Sequence, residues 1–263
     1  MSRKVTREQL MEMIENGDDV RFVDTSCITD MSNLFRYNAT FNQDISRWNV
    51  SNVINMQNMF NGAFTFNKNI SRWNVSNVKI MKGMFDSAET FNQPIGNWNV
   101  SNVKIMLGMF NGAKAFNQDI GSWNISNVTN MCCVFGDAEA FNQPMGEWNV
   151  SNVTNMCCMF SGAKAFNQPI GHWDTSSVTS MRGMFYGAKA FNQPIGNWNI
   201  SNVEYINDMF IDSGIRHVYD FIRKFDDPRE ALKTVLGDEI YEEVSDVPLE
   251  KIDLYLRMKK IHE

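Results

Sequence analysis

The side chains best suited to chemistry are two adjacent cysteine pairs, Cys132-Cys133 and Cys157-Cys158, set 25 residues apart. Four neighbouring thiols suggest zinc. On a helix, however, adjacent residues point about 100° apart, so the four cannot easily converge on one ion, and no metal site is expected. The second member of each pair shares its repeat position with Asn58, Gly83, Gly108 and Gly183, which reads as a tight slot where cysteine is a small apolar filler. A Cys133–Cys158 disulfide under oxidation is favoured over metal binding. The three histidines, His172, His217 and His262, are scattered. His172 falls at a variable position shared with Arg47, Arg72, Asn97, Ser122, Glu147 and Asn197, and reads as solvated. No histidine has a cysteine or acid partner in a catalytic pattern, and no phosphate loop or dinucleotide fingerprint occurs. The expectation is a protein without enzymatic activity and without a cofactor.

The elements that must position these groups are repetitive. All seven tryptophans, Trp48 through Trp198, lie 25 residues apart. Phe41 to Phe191, Phe35 to Phe210 and Met31 to Met181 keep the same step, and Ile206 continues the methionine series. A fixed period of this length signals stacked units sharing one continuous core. Propeller blades need about 40 residues or more, so they are excluded. Within one unit Trp98 and Val100 alternate, as in a short strand, whereas Val103, Met106, Met109 and Phe110 follow helical spacing. Ser101 or Asn102 would start that helix and Gly112 would stop it. The expected fold is therefore an α/β repeat solenoid, a leucine-rich-repeat-like right-handed coil of about eight turns, with one short strand and one short helix per turn and helical caps.

Three regions are expected: an N-terminal cap and degenerate first coil over 1–30, the repeat solenoid over 31–213, and a C-terminal helical cap or appendage over 214–263. Thr6 and Gln9 form a capping box for a first helix that ends at Gly17, with Leu10, Met13 and Ile14 on its apolar face. Beyond Phe210, helices are expected over 215–225, 228–236 and 248–261, with Pro228 at a first helical position and Gly237 as a stop. Identical residues in register should form ladders. The asparagines Asn42, Asn67, Asn92, Asn117, Asn142, Asn167 and Asn192 are read as one such ladder, with buried amides satisfying backbone at the corners. Methionines such as Met59, Met84 and Met109 are read as core filler.

The unit Phe91-Asn92-Gln93-Pro94-Ile95-Gly96-Asn97-Trp98-Asn99-Val100-Ser101-Asn102-Val103, continuing to Met106, Met109, Phe110, Gly112 and Ala113, resembles those of the BspA-like leucine-rich-repeat family, also called bacterial surface PARCEL repeats. The resemblance covers roughly residues 20 to 213. Proteins with such repeats occur in bacteria, protists and some large viruses. Many are surface proteins with adhesive or host-interaction roles, so the resemblance implies protein binding without supplying a ligand.

Composition narrows the partner. The chain has 263 residues, 43% hydrophobic and 21% charged, with a net charge of -6. Residues 31–210 carry 11 basic and 10 acidic side chains, so a nucleic-acid groove is not expected. No apolar run is long enough for a membrane helix, and the opening segment lacks the apolar core of a secretory signal. An intracellular location and a monomer are expected, with a cell or virion surface as the alternative. Where the scaffold repeats, the variable rows carry the information. Arg72, Lys79, Ile80, Lys82, Lys104 and Ile105 form a basic and apolar set in the early coils and are the candidate partner-binding patch. The expected role is a protein–protein interaction scaffold presenting an extended face to an unknown protein. A structural or adhesive role is the alternative.

Overall fold

A computed structural model describes residues 3–259. It overturns the expected strand-and-helix coil. Between the first helix and residue 218 no described residue is helical, and no strand forms. Only isolated parallel bridges occur, and they link Asp30, Asn55, Ile80, Ile105, Asn130, Asn155, Ser180 and Tyr205 in succession. The 25-residue units thus stack in register, but each is built from turns. An α/β leucine-rich-repeat-like solenoid is not what this chain makes.

The reason lies in the backbone where the helix was expected. Each unit holds two positive-φ residues four apart: Asn58 and Gly62, Gly83 and Ser87, Gly108 and Gly112, Cys133 and Asp137, Cys158 and Gly162, Gly183 and Gly187. A left-handed residue every four positions forbids a continuous right-handed helix. The amides instead alternate in direction. Met109 donates to Met106, Asn111 to Gly108 and Ala113 to Phe110 within the turn. Between them, Gly108 donates to Cys132 at 2.9 Å, Phe110 to Val134 at 2.9 Å and Gly112 to Gly136 at 2.7 Å, all in the next unit. The apolar side chains still fall on one face at helical spacing, which is why the pattern reads as a helix. Gly112 is therefore a left-handed joint and not a helix stop. Ser101 and Asn102 also start no helix: the Ser101 amide donates to Asn99 Oδ1 at 3.1 Å, closing a turn, and Asn102 Nδ2 donates to Ser76 O at 2.7 Å.

The interior is a set of ring ladders. Phe60 and Phe85 stack with centroids 5.5 Å apart and planes 3° from parallel. The second phenylalanine series repeats at about the same interval, with Phe66 and Phe91 6.0 Å apart. Phe60 also lies 4.0 Å from Phe66 of its own unit, so the two ladders share one stack. Trp73 and Trp98 stack at 6.5 Å, 3° from parallel. Burying each phenylalanine removes its ring from water and adds stacking contacts; deleting one to alanine costs roughly 3–5 kcal/mol.

The ends are closed differently. α1 (Arg7–Glu15) starts at the expected capping box, in which Gln9 N–H donates to Thr6 Oγ1 at 3.3 Å and Thr6 N–H donates to Gln9 Oε1 at 3.0 Å. It buries Leu10 and leans Met13 and Ile14 on the core. At the other end α2 (Tyr219–Ile222) is much shorter than the expected 215–225 helix. α3 (Pro228–Val244) starts at Pro228 as expected and is broken at Gly237, whose φ of 78° and ψ of 167° are not helical. That break frees the carbonyls of the preceding turn. Asp208 N–H donates to Thr234 O at 3.0 Å and Phe210 N–H to Val235 O at 2.8 Å, so a helix end receives the amides of the last unit. The last helix splits into a 3-10 turn, Leu249–Lys251, and α4 (Ile252–Lys259); the final residues of the expected 248–261 helix lie outside the described part.

Candidate functional site

The candidate patch lies on adjacent repeat units. Lys79 donates its amide to Ile54 O at 2.8 Å and Lys104 donates to Lys79 O at 2.9 Å, so the two lysines sit in register on adjacent units, both exposed. Ile80 and Ile105 are direct bridge partners. Ile105 is 41% exposed and Ile54 43%, which leaves a short apolar strip beside the ammonium groups. Lys82 is exposed two residues beyond Ile80, and its carbonyl accepts from Asn58 at 2.8 Å. Arg72 is exposed too and occupies the turn before buried Trp73. Farther along the same row Thr129, Thr154 and Thr179 replace the lysines. Thr154 and Thr179 each donate from Oγ1 to the carbonyl one unit earlier at 3.2 Å. The patch is thus confined to the early units.

The cysteines are brought closer than spacing alone foretold. Cys132 Sγ lies 3.5 Å from Cys133 Sγ, and Cys157 Sγ 3.6 Å from Cys158 Sγ. Across the units Cys132 is in register with Cys157 and Cys133 with Cys158, because Asn130 pairs with Asn155 and the Cys133 amide donates to Cys157 O at 2.9 Å. All four are half-buried free thiols. Among the described residues no group of three or more His, Cys, Asp or Glu is placed to hold a metal ion. The slot of Cys133 and Cys158 is a left-handed position, with φ of 55° and 51°, so its requirement is conformational as well as spatial. The hydrogen bond from Cys133, with help from Cys157 and the Arg182 guanidinium, lowers the Cys158 thiol to about 6 against its desolvation and the Asp137 carboxylate. Hydrogen bonding to Cys133 likewise lowers Cys132 to about 7. Cys133 itself is pushed up, because it donates to Cys132 and Cys158. Desolvation, and then the bond to Cys158, raises Cys157 to about 12.

The histidines do not assemble. His172 is exposed, with Nε2 2.9 Å from Gly146 O. His217 Nδ1 lies 3.0 Å from Arg257 Nη2. His262 is outside the described residues.

The asparagine ladder has its expected register but not its expected burial. Asn92 N–H donates to Asn67 Oδ1 at 3.0 Å, and Gln93 Nε2 donates to the same oxygen at 2.8 Å. Asn42 and Asn67 are exposed and the later members half-buried. The ladder stops at Asn192, whose Oδ1 is buried with no hydrogen-bond partner because no further unit follows.

Two features escaped the sequence reading. Glu89, Lys114, Glu139 and Lys164 alternate in sign at one repeat position, giving ion pairs of 2.9 Å for Lys114–Glu89 and for Lys164–Glu139. The alternation was visible in the sequence. Near the N-terminus Arg3, Arg21, Arg47 and the exposed Phe22 line one basin; Arg21 is paired with Asp19 at 2.8 Å. No signal marks that basin, because its residues come from three different units.

No helix among the described residues is long and apolar enough to cross a membrane. No curated protein and no solved structure matches the chain. One family model does match, over residues 6–123 and again over the overlapping residues 106–218, and so takes in every tryptophan unit. A run of repeat units read twice by one model, on a backbone that stacks those units in register, places this chain in the family described as Mycoplasma protein of unknown function, DUF285.

Proposed function

We propose that the chain is a non-enzymatic protein-binding scaffold, and that it binds through the strip formed by Ile54, Lys79, Ile80, Lys82, Lys104 and Ile105. The observation that supports this reading is the exposure of the aligned Lys79 and Lys104 beside exposed Ile54 and Ile105 and half-buried Ile80, where the same rows later turn to threonine and asparagine. Aligned lysines repel one another, and exposed isoleucine gains nothing from water. A partner that places carboxylates on the ammonium groups and apolar side chains on the isoleucines relieves both. The closer kinship with BspA-like surface proteins belongs to the same proposal, since it too would make the repeats a binding device.

The test is capture of partners from the native host with the full chain and with a Lys79→Glu, Lys82→Glu, Lys104→Glu variant. These side chains are exposed, so the variant should melt within a few degrees of the parent. Loss of a captured protein by the variant alone supports the strip; equal capture removes it. Recovery of the native protein only from an intact envelope or particle would favour the second reading, a structural or adhesive role at a surface.

A further inference from the structure

The thiol cluster carries an inference independent of the binding strip. Its four sulfurs sit as two close pairs, 3.5 Å and 3.6 Å apart, set in register on adjacent units by the Cys133 amide donating to Cys157 O. No metal geometry accounts for it among the described residues. All four thiols are half-buried and so within reach of a small solute. We propose that Cys133 and Cys158 are an oxidation site for a small hydroperoxide, closing to a disulfide that links two adjacent repeat units.

Backbone geometry selects the pair. Cα atoms of adjacent residues across a trans peptide are about 3.8 Å apart, shorter than the roughly 4.4–6.8 Å a disulfide ordinarily spans. Bonds within Cys132-Cys133 or within Cys157-Cys158 are therefore disfavoured. Residues in register on hydrogen-bonded neighbours stand about 4.8 Å apart, inside that span. The register here is explicit, since Cys133 N–H donates to Cys157 O at 2.9 Å. Two in-register pairs remain. Cys133 and Cys158 hold matching left-handed backbone on adjacent units, with φ of 55° and 51°, and charge supports the same pair. Cys158 N–H donates to Arg182 O at 2.8 Å, and the Arg182 guanidinium favours a thiolate at Cys158 against the opposing Asp137. The influences on Cys132 include no cation.

The reaction balances with one hydroperoxide. The Cys158 thiolate sulfur attacks a peroxide oxygen, the O–O bond breaks, and the departing oxygen takes a proton. With hydrogen peroxide this gives water and a Cys158 sulfenic acid. The thiolate that held the Cys133 proton is then gone, which eases ionisation of Cys133. Cys133 Sγ attacks the Cys158 sulfur, the S–O bond breaks, and hydroxide leaves with the Cys133 proton as a second water. Two thiols are oxidised by two electrons and one peroxide is reduced.

The experiment uses the full chain, reduced and then treated with hydrogen peroxide. The five free thiols should fall to three, and return to five with a dithiol reductant. Trypsin cannot map the bond, because no Lys or Arg lies between Lys114 and Lys164; cleavage after Glu139 and Glu147 separates the two pairs. A peptide pair linked through Cys133 and Cys158 is the expected product, and the oxidised chain should melt higher than the reduced one. Cys158→Asn is the informative variant, since Asn58 holds the equivalent slot at φ 52° and the fold should survive, as circular dichroism will report. Its four thiols should all persist. A bond within either adjacent pair, a Cys132–Cys157 bond, thiol loss that is unaltered in a folded Cys158→Asn, or no thiol loss in the parent would each overturn the proposal.

Discussion

Each tryptophan both fills the interior and ties one unit to the one before. Trp123 Nε1 donates to Ile95 O at 3.2 Å, and every tryptophan from Trp48 to Trp198 repeats this bond at the same sequence offset. An indole ring is wide enough to reach the neighbouring carbonyl without leaving the stack, so this donor is never orphaned on burial. The buried threonines Thr25 and Thr175 follow the same logic: they stand where other units have Val50 or Ile125, and each donates its hydroxyl to a carbonyl of the next unit, at 2.9 Å and 2.8 Å. The slot before Thr175 adds a titratable variant. Asp174 Oδ1 accepts from Ser176 N–H at 3.0 Å, as Asn149 Oδ1 accepts from Ser151 N–H at 3.1 Å. Hydrogen bonding to Ser176 lowers the Asp174 pKa. A carboxylate with a depressed folded-state pKa stabilises above its unfolded value of about 3.9, and that contribution disappears as pH falls through the folded value. Asp174→Asn keeps the turn with a neutral acceptor. Its denaturation midpoint should match the parent at pH 7 and exceed it at pH 3; an equal acid loss in both would show that the carboxylate contributes nothing.

At the scale of the element, the unit is a turn-built ribbon whose amides point alternately inward along the turn and outward to the next unit. The left-handed joints make this alternation possible, so they should tolerate only residues that accept positive φ. Gly108 offers a test because its Cβ direction is open: the nearest atom to a built Cβ is Asn111 Cβ at 3.9 Å, with φ at 61°. Gly108→Asn should be nearly neutral, because Asn58 already occupies the corresponding joint. Gly108→Val should cost roughly 1–2 kcal/mol from backbone strain alone. Equilibrium denaturation of the two variants separates conformation from volume; equal losses would show that lack of space, and not φ, governs the slot. The period of these units was legible from tryptophan and phenylalanine spacing. Their secondary structure was not, because apolar residues at i, i+3, i+6 and i+7 share a face both in a helix and in a ribbon interrupted by left-handed joints. Asn58, Ser87, Cys133 and Asp137 at those joints were the available signal, since polar and small residues recur there with glycine.

At the scale of the whole molecule, stacked units leave two open ends, and each is closed by a different device. At the C-terminus the carbonyls of Thr234 and Val235, released by the break at Gly237, take the last outward amides, and Leu232, Val235 and Leu236 join the core. Gly237 also approaches Ile211 so closely that a Cβ there would sit 2.8 Å from Ile211 Cδ1. Removing residues 226–263 should therefore expose the end of the ring stack at Phe210 and leave the protein insoluble or aggregating, measured by fractionation and light scattering; a soluble, cooperatively melting truncation would mean that the segment is an appendage and not a lid on the core. The residues of the candidate patch were legible one by one, in rows that vary while the scaffold repeats, and the backbone supplies their register across units. The thiol cluster was legible as two pairs, and its register across units comes from the backbone in the same way. What the sequence determined by itself was the period, the core and the capping box, since identical apolar side chains at constant spacing bury together only if their units stack, and a cap needs only neighbours along the chain. What the tertiary structure alone decided was the path of the backbone within each unit, the register of thiols and lysines across units, and the capture of the last unit's amides by helix-end carbonyls. Those depend on which way each amide points: alternate amides bond to residues 24 or more positions away, and the joint residues in the sequence mark where the chain turns but not which unit receives the bond.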